Sequence, residues 1–250
     1  MTPNEFASIA ALMPDPFRVL WREKVSSTND ELRELAVKGM AEGLVLVAEE
    51  QTAGRGRRGA AWYSPKGESL AFSILLRPVA AKSMWSRLSL TAGLAVAEAI
   101  EKYVPLAEIK WPNDVQIGGK KIAGILVEAG ADFVIVGIGI NVNSGNFPEG
   151  LAATSLKAET GNEVSRAEVL LEVVKRLARH SDRIDRDFPE MLEGVKERCA
   201  LTGKRVALTY SEKRVEGFIQ GVGPSGELLV EIAGKLERIF QADEIRVLSE

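Results

Sequence analysis

Apolar and polar positions repeat with different periods in the two parts of the chain, and the period changes near residue 200. Before that point, continuous apolar runs at residues 44–48 and 133–140 are typical of buried strands. They are separated by helical stretches with an apolar stripe, including a long one at residues 83–103. Beyond it, residues 204–248 alternate between apolar and polar, which predicts about five short strands.

These patterns predict an α/β (α+β) fold with a central mixed sheet flanked by helices, followed by a small C-terminal all-β barrel. We place the domains at residues 1–200 and 201–250. Local signals add detail. Thr28 with Glu31, and Ser165 with Glu168, have the spacing of capping boxes at helix starts. Turns are predicted at Gly118-Gly119, Ser211-Glu212 and Gly223-Pro224-Ser225-Gly226.

Composition removes several kinds of chemistry. His180 and Cys199 are the single histidine and the single cysteine of 250 residues, so the chain cannot build a zinc site from these two residue types. Any Ser-His-Asp triad would have to use His180. A single cysteine forms no internal disulfide, which fits a reducing cytoplasm. No run of eighteen apolar residues is present, so we expect no membrane-spanning helix. The net charge of −3 argues against a surface devoted to nucleic acid.

The first segment with candidate chemistry combines glycines and arginines, and reads Gly54-Arg55-Gly56-Arg57-Arg58-Gly59. Its glycine spacing matches the dinucleotide-binding fingerprint, but a strand follows it where that fingerprint requires a helix. Three arginines among flexible glycines favour the capture of an anion by side chains. Taken alone, the segment could also be a solvated basic turn.

The second segment is Lys110-Trp111-Pro112-Asn113-Asp114. Its amide and carboxylate could bind a hydrated Mg²⁺ beside substrate phosphates, or the segment could be an ordinary turn anchored by Trp111. Lys121 follows in an apolar strand, where it is either an exposed edge residue or a cation facing a substrate anion. Strict alternation would place Lys121 with Ala123 and opposite to Gly124.

Five ordered blocks together resemble the biotin–protein ligase family. They comprise Ser27-Thr28-Asn29, residues 51–59 with Trp62, the segment from Lys110 to Asp114, Lys121-Ile122-Ala123-Gly124-Ile125-Leu126, and Gly137-Ile138-Gly139-Ile140-Asn141. The resemblance spans roughly residues 17–145 and includes the β module after residue 200. It implies a catalytic fold of the class II aminoacyl-tRNA-synthetase and biotin-ligase type.

The resemblance implies an enzyme that joins biotin to ATP, giving biotinyl-5′-AMP and pyrophosphate, and then biotinylates a lysine of a biotin carboxyl carrier protein. The biotin-binding residues it implies are Ser27, Thr28, Asn29, Gln51, Arg55, Gly56, Arg57, Lys121, Gly124 and Leu126. For ATP they are Trp62, which would stack on adenine, with Lys110, Asn113 and Asp114. Lys121, Arg55 and Arg57 would act in catalysis by offsetting the repulsion between carboxylate and phosphate. Asp114 would lie near Mg²⁺.

The alternatives concern partners and activity. A lipoate–protein ligase shares the adenylation chemistry, and a biotin- or nucleotide-sensing regulator would bind without turnover. About sixteen residues precede the first predicted strand, too few for a helix-turn-helix domain, so we expect no specific DNA binding. Some relatives place a C-terminal arginine over ATP, and Arg246 is the candidate here. The base that deprotonates the acceptor lysine, and whether the chain forms a homodimer, stay open.

Overall fold

The computed structural model describes residues 3–181, 184–210 and 213–248, and it confirms the predicted mixed sheet flanked by helices. The larger sheet has seven strands in the order β1-β2-β3-β7-β6-β5-β4, with β1 and β2 parallel and the other neighbours antiparallel. In chain order its strands are β1 (Arg18–Val25), β2 (Leu44–Gln51), β3 (Ser69–Leu76), β4 (Glu108–Lys110), β5 (Asp114–Ile117), β6 (Lys120–Ala129) and β7 (Val134–Asn141).

Helices cover both faces of this sheet. They are α1 (Pro3–Ala10), α2 (Thr28–Val37), α3 (Arg87–Ile100), α4 (Leu156–Thr160), α5 (Arg166–Ser181) and α6 (Phe188–Glu197). Helix α2 packs on one face, where Leu32 and Ala36 meet Leu46, Leu75 and Ile135. Helices α3 and α5 pack on the other face, within the main core. The helix predicted at residues 83–103 is confirmed as α3, but it is shorter. A 3₁₀ turn at Lys82–Met84 precedes it, and it ends at Ile100.

One predicted cap forms and the other does not. The Ser165 hydroxyl accepts a hydrogen bond from the Glu168 backbone N–H at 3.3 Å, as the sequence predicts. At α2, Ser27 occupies the N-cap position without a side-chain cap, so the capping box of Thr28 with Glu31 is wrong. The Thr28 hydroxyl is instead directed to Gln51 on the neighbouring strand, which is the first sign that this helix end has another use.

A tight hairpin and a bulge determine which way Lys121 faces. Gly118 and Gly119 both have positive φ, 54° and 79°, as a type I′ turn requires, and they confirm the predicted hairpin. The pairing then skips Ile122, which is the extra residue of a β-bulge. The strict alternation predicted for this strand is therefore wrong at Lys121, because the bulge turns it to the same face as Gly124.

The second sheet is antiparallel throughout, with the order β11-β10-β9-β8-β12. Its strands are β8 (Arg205–Tyr210), β9 (Lys213–Val222), β10 (Leu228–Ile232), β11 (Lys235–Ile239) and β12 (Glu244–Val247). Five strands are confirmed in a second all-antiparallel sheet, and no strand pairing that would close the predicted barrel is found among the described residues. Within the described residues β11 and β12 remain unpaired edges, and the side chains of β11 are mostly exposed. The predicted turn at Ser211-Glu212 lies outside the described residues.

A buried tryptophan joins the two sheets. The Trp111 side chain is 3% exposed, and its indole N–H donates to the Gly226 carbonyl at 2.9 Å. The second sheet is thereby fixed beside β4 and β5, the edge of the larger sheet that leads into Asp114. The domain boundary at residue 200, between α6 and β8, stays a prediction. Within the described residues, no helix is long and apolar enough to cross a membrane.

Candidate active site

A cavity of about 230 Å³ lies at the N-terminus of α2, against β6 and β7 and beneath residues 54–62, which we call the glycine–arginine loop. Most of the predicted site residues line it, although they come from separate parts of the chain. The predicted residues in its lining are Ser27, Thr28, Asn29, Gln51, Arg55, Gly56, Arg57, Trp62, Asn113, Asp114, Lys121, Gly124 and Leu126.

At one end of the cavity, four hydrogen-bonded side chains form what we call the polar cluster: Thr28, Asn29, Gln51 and Ser73. The Thr28 backbone N–H and hydroxyl donate to Gln51 Oε1 at 2.9 and 3.1 Å. Ser73 Oγ lies 2.7 Å from Thr28 Oγ1 and 2.5 Å from Asn29 Oδ1, so its single proton is shared between them. Thr28, Asn29 and Ser73 are buried, which makes the cluster a fixed arrangement of donors and acceptors.

A glycine of β7 makes room for this cluster. A Cβ atom at Gly137 would lie 2.2 Å from Asn29 Oδ1, closer than any side chain permits. On its other side, Asn29 Nδ2 donates to Glu128 Oε2 at 2.6 Å. The amide is thus positioned by β6 and β7 together, and the close approach requires glycine.

Arg55 is committed to carboxylates. Its guanidinium donates to both oxygens of Asp30 at 2.5 Å, and its Nη2 lies 3.3 Å from Glu128 Oε1. The hydrogen bond from Arg55 lowers the pKa of Asp30, and the same contact raises the pKa of Arg55. Arg55 therefore anchors the loop to α2 in this arrangement, and it does not present a free cation to a phosphate.

Besides Arg55, three cations line the cavity: Arg57, Arg58 and Lys121. Arg57 Nη1 donates to Asn113 Oδ1 at 3.3 Å, and burial together with Arg58 lowers the pKa of its guanidinium, which remains charged at neutral pH. Lys121 Nζ lies 2.7 Å from Asp114 Oδ1. That oxygen lies outside hydrogen-bond geometry, so the contact is electrostatic.

Trp62 forms a wall between this cavity and a second one. Its ring covers β7, where a Cβ at Gly139 would lie 2.3 Å from Trp62 Cε2, and Lys121 Nζ lies 5.5 Å from the centre of the ring. The second cavity, of about 100 Å³, has a largely apolar lining. Its lining consists of Ala61, Trp62, Tyr63, Lys121, Asn141, Phe147, Leu151 and Ala153. Trp62 and Lys121 therefore line both cavities.

Two candidates from the sequence lie elsewhere. Lys110 is on β4, paired with Asp114 across the strands, and is absent from the lining of the cavity. Arg246 lies on β12 in a separate cavity with Arg214 and Glu244. The C-terminal residue that lines the main cavity is Asp243.

Sequence reasoning also missed several residues that shape the site. They are Asp30, Ser73, Glu128, Gly137, Gly139 and Asp243. The alternate glycines of β7 were visible as a signal, since glycine inside a strand marks a close approach. The others are polar residues whose partners are distant in sequence, and no local pattern distinguishes them. Among the described residues, no group of three or more His, Cys, Asp or Glu could hold a metal ion.

Comparison with known proteins agrees with this geometry. Residues 21–143 match the model of the biotin/lipoate A/B protein ligase family. The chain is 35% identical to a bifunctional ligase/repressor BirA of Bacillus spizizenii, over 90% of this chain and 73% of that protein. It is 31% identical to a biotin–[acetyl-CoA-carboxylase] ligase of Mycobacterium tuberculosis, over 91% of this chain and 90% of that protein.

The fold comparison gives the same result. A biotin protein ligase from Aquifex aeolicus, solved with biotin and ATP, superposes with a TM-score of 0.83 at 35% identity, covering 92% of this chain and 99% of that one. The chain therefore belongs to the biotin/lipoate A/B protein ligase family, and within it to the biotin protein ligases.

Proposed function

We propose that this ATP-dependent biotin protein ligase forms biotinyl-5′-AMP at Lys121, where the two cavities meet. The observation that carries the proposal is that Lys121 and Trp62 line both cavities. One substrate in each cavity would bring a carboxylate and an α-phosphate together beside the same ammonium group. That arrangement supplies both proximity and charge stabilisation.

Biotin would occupy the larger cavity with its ureido ring at the polar cluster. The ring carries one carbonyl acceptor and two N–H donors, so the site must supply both donors and acceptors, and Ser27, Thr28, Asn29 and Gln51 carry such groups. Gly124 and Leu126 would line the slot for the apolar tail, which ends at Lys121. Because the polar groups are already hydrogen-bonded to one another, binding would cost little side-chain entropy.

The nucleotide would place its base in the smaller cavity. Its apolar lining with one amide, Asn141, suits a flat heteroaromatic ring, and Trp62 offers an aromatic face beside it. The α-phosphate would then lie near Lys121 and Arg57, with Asn113 holding the Arg57 guanidinium in position. Lys110 lies outside the lining of the cavity, so its proposed role is limited to attracting the phosphates from a longer distance.

Two displacements make up the reaction. A carboxylate oxygen of biotin attacks the α-phosphorus of ATP and pyrophosphate leaves, while Lys121 and Arg57 stabilise the negative charge that develops there. The amine of the acceptor lysine then attacks the acyl carbon, the new amide bond forms, and AMP leaves. Asp114 is the carboxylate closest to this centre, and we propose it as the group that takes the amine proton.

The donor set does not fit a metal ion held by the protein. Asp114 is already paired with Lys121, and no cluster of three suitable side chains exists among the described residues. Mg²⁺ would therefore arrive on the phosphates of ATP, and none of the steps above depends on it.

The acceptor is proposed to be a lysine of a biotin carboxyl carrier protein, by analogy with the enzyme named in Mycobacterium tuberculosis. The single cysteine fits a cytoplasmic location. DNA is not among the proposed partners, because the net charge of −3 supplies no general affinity for phosphate backbones.

The test is ATP–pyrophosphate exchange with biotin and with lipoate, measured side by side on the full chain. We expect exchange with biotin and little with lipoate, because the polar cluster would be matched to a ureido ring. Exchange with lipoate alone would replace this proposal by a lipoate–protein ligase. Binding of biotin without any exchange would favour a regulator without turnover.

A further inference from the structure

The glycine–arginine loop is attached at its two ends to different parts of the molecule. Arg55 is held by Asp30 of α2, whereas Arg57 and Arg58 reach the second sheet. No residue of the 3₁₀ turn Arg57–Gly59 is buried. Ion pairs and hydrogen bonds, and not apolar packing, therefore keep this half of the loop over the cavity.

The attachment point lies immediately before β12 and is hydrogen-bonded to β8. Arg58 Nη2 forms an ion pair with Asp243 Oδ1, and Arg57 Nη2 donates to the Ala242 carbonyl at 3.4 Å. The Asp243 backbone N–H in turn donates to the Thr209 carbonyl at 2.7 Å. Asp243 thus places a carboxylate in the lining of the cavity, on the part of the chain that Trp111 connects to the larger sheet.

The backbone of Arg58 supports a specific role for this ion pair. Arg58 has φ 58° and ψ 27°, the left-handed conformation that few residues other than glycine adopt. Such a conformation persists where surrounding contacts enforce it. Backbone hydrogen bonds from Gly56 to Ala60 and from Ala60 to Arg57 close the turn, and the ion pair with Asp243 connects it to the C-terminal region beside Arg57.

We propose that Asp243 is a positioning residue that clasps the loop over bound biotinyl-5′-AMP and slows its release until the acceptor lysine arrives. This inference rests on the proposed function. Asp243 acts through Arg58, which sets the position of Arg57, and not by contact with the reacting atoms. The second sheet thus contributes to retention of the intermediate through a residue that precedes β12, and Arg246 is not required for it.

The experiment measures release of biotinyl-5′-AMP from preloaded full-length protein. We expect Asp243→Asn to release it about threefold to tenfold faster, since the pair is partly exposed, and the difference to shrink at high salt. Asp243→Glu should restore most of the retention. Arg58→Asn should match Asp243→Asn, because asparagine tolerates the left-handed conformation but removes the charge. The double variant should add nothing further.

A matched control lies on the same sheet. Glu216→Gln breaks an exposed ion pair with Arg205, 2.8 Å long, that does not involve the loop, and it should leave release unchanged. Wild-type release in Asp243→Asn and Arg58→Asn, or additive effects of the two, would overturn the clasp. If Asp243→Asn does not fold, Arg58→Asn alone decides. If the wild type forms no adenylate from biotin and ATP, the proposed function fails instead.

Discussion

The two ends of the active-site cavity are held in place by different kinds of interaction. The polar cluster consists of side chains that are hydrogen-bonded to one another, and all of them except Gln51 are buried. The glycine–arginine loop crosses the other end with no buried residue in its 3₁₀ turn, and its long-range attachments are charged. Buried networks give fixed geometry, whereas exposed ion pairs contribute little stability and exchange partners readily.

This difference suggests a division of labour. A small ligand such as biotin is recognised by a preformed surface, at little cost in ordering. A reactive intermediate must instead be covered after it forms and uncovered for the acceptor, and a loop held by ion pairs allows both. Lys121 lies between the two regions, on strand β6, so its own position does not depend on the loop being closed.

The largest effect is expected at this junction. Lys121→Ala should lower ATP–pyrophosphate exchange by at least about 100-fold, because a preorganised cation beside the α-phosphate is lost. The Tm should barely change, since the side chain is partly exposed. Lys120→Ala, the exposed neighbour on β6, is the control. Exchange at the wild-type rate in Lys121→Ala would reduce Lys121 to an edge-strand residue.

The next effect tests the rigidity of the polar cluster. Gly137→Ala should weaken biotin binding by about tenfold to 100-fold, because its Cβ would displace Asn29 and overpacking costs about 1–3 kcal/mol. Calorimetry with biotin measures it. Gly145→Ala, where a Cβ meets nothing within 4 Å, should bind like the wild type. Unaltered affinity in Gly137→Ala would mean that the cluster adapts and is not preformed.

A smaller effect is expected from the loop. Arg57→Gly should leave the fold intact and release biotinyl-5′-AMP about tenfold faster, since one charge-assisted hydrogen bond contributes about 1.5–3 kcal/mol. Labelling of bystander lysines by the freed adenylate should rise in parallel. The measurement is adenylate release together with lysine labelling in trans. Retention equal to that of the wild type would refute a contact between Arg57 and the adenylate.

The smallest effect concerns the anchor of the loop on α2. The hydrogen bond from Arg55 holds the pKa of Asp30 below its ordinary value. A carboxylate with a lowered folded pKa stabilises the protein above the unfolded pKa, and that contribution is lost as pH falls through the folded value. The free energy of unfolding should therefore fall more between pH 7 and about pH 3 in the wild type than in Asp30→Asn. Urea unfolding at each pH measures this, and the same loss of unfolding free energy with falling pH in the wild type and in Asp30→Asn would contradict it.

The parts of the site that the sequence predicts are those encoded in continuous segments. The motifs at 27–29, 51–62 and 113–126 meet because the first lies at the start of α2, the second follows β2, and the third runs through β5 into β6. The partners of these residues were not predictable in the same way. Ser73, Glu128 and Asp243 are ordinary polar residues until the strand register brings them to Asn29, Arg55 and Arg58.

Two differences between the predicted and the observed structure have the same origin. The bulge at Ile122 reverses the facing of Lys121, and no property of the strand itself announces an extra residue in its pairing. The barrel was inferred from five alternating strands, but alternation is identical in an open sheet and a closed one. Closure depends on whether the first and last strands pair, which is a property of the whole sheet.

The central claim is that a rigid polar cluster recognises biotin and that a charged loop retains the adenylate. Calorimetric titration of the wild type, Ser73→Ala and Arg57→Gly with biotin, and with a non-hydrolysable biotinyl-adenylate analogue, tests it most directly. Ser73→Ala should weaken the binding of both ligands by the same factor, about tenfold, because the buried Asn29 Oδ1 loses the hydroxyl that donates to it. Arg57→Gly should weaken the adenylate analogue alone. Equal loss of both ligands in Arg57→Gly, or a loss confined to the analogue in Ser73→Ala, would contradict the division between the two regions.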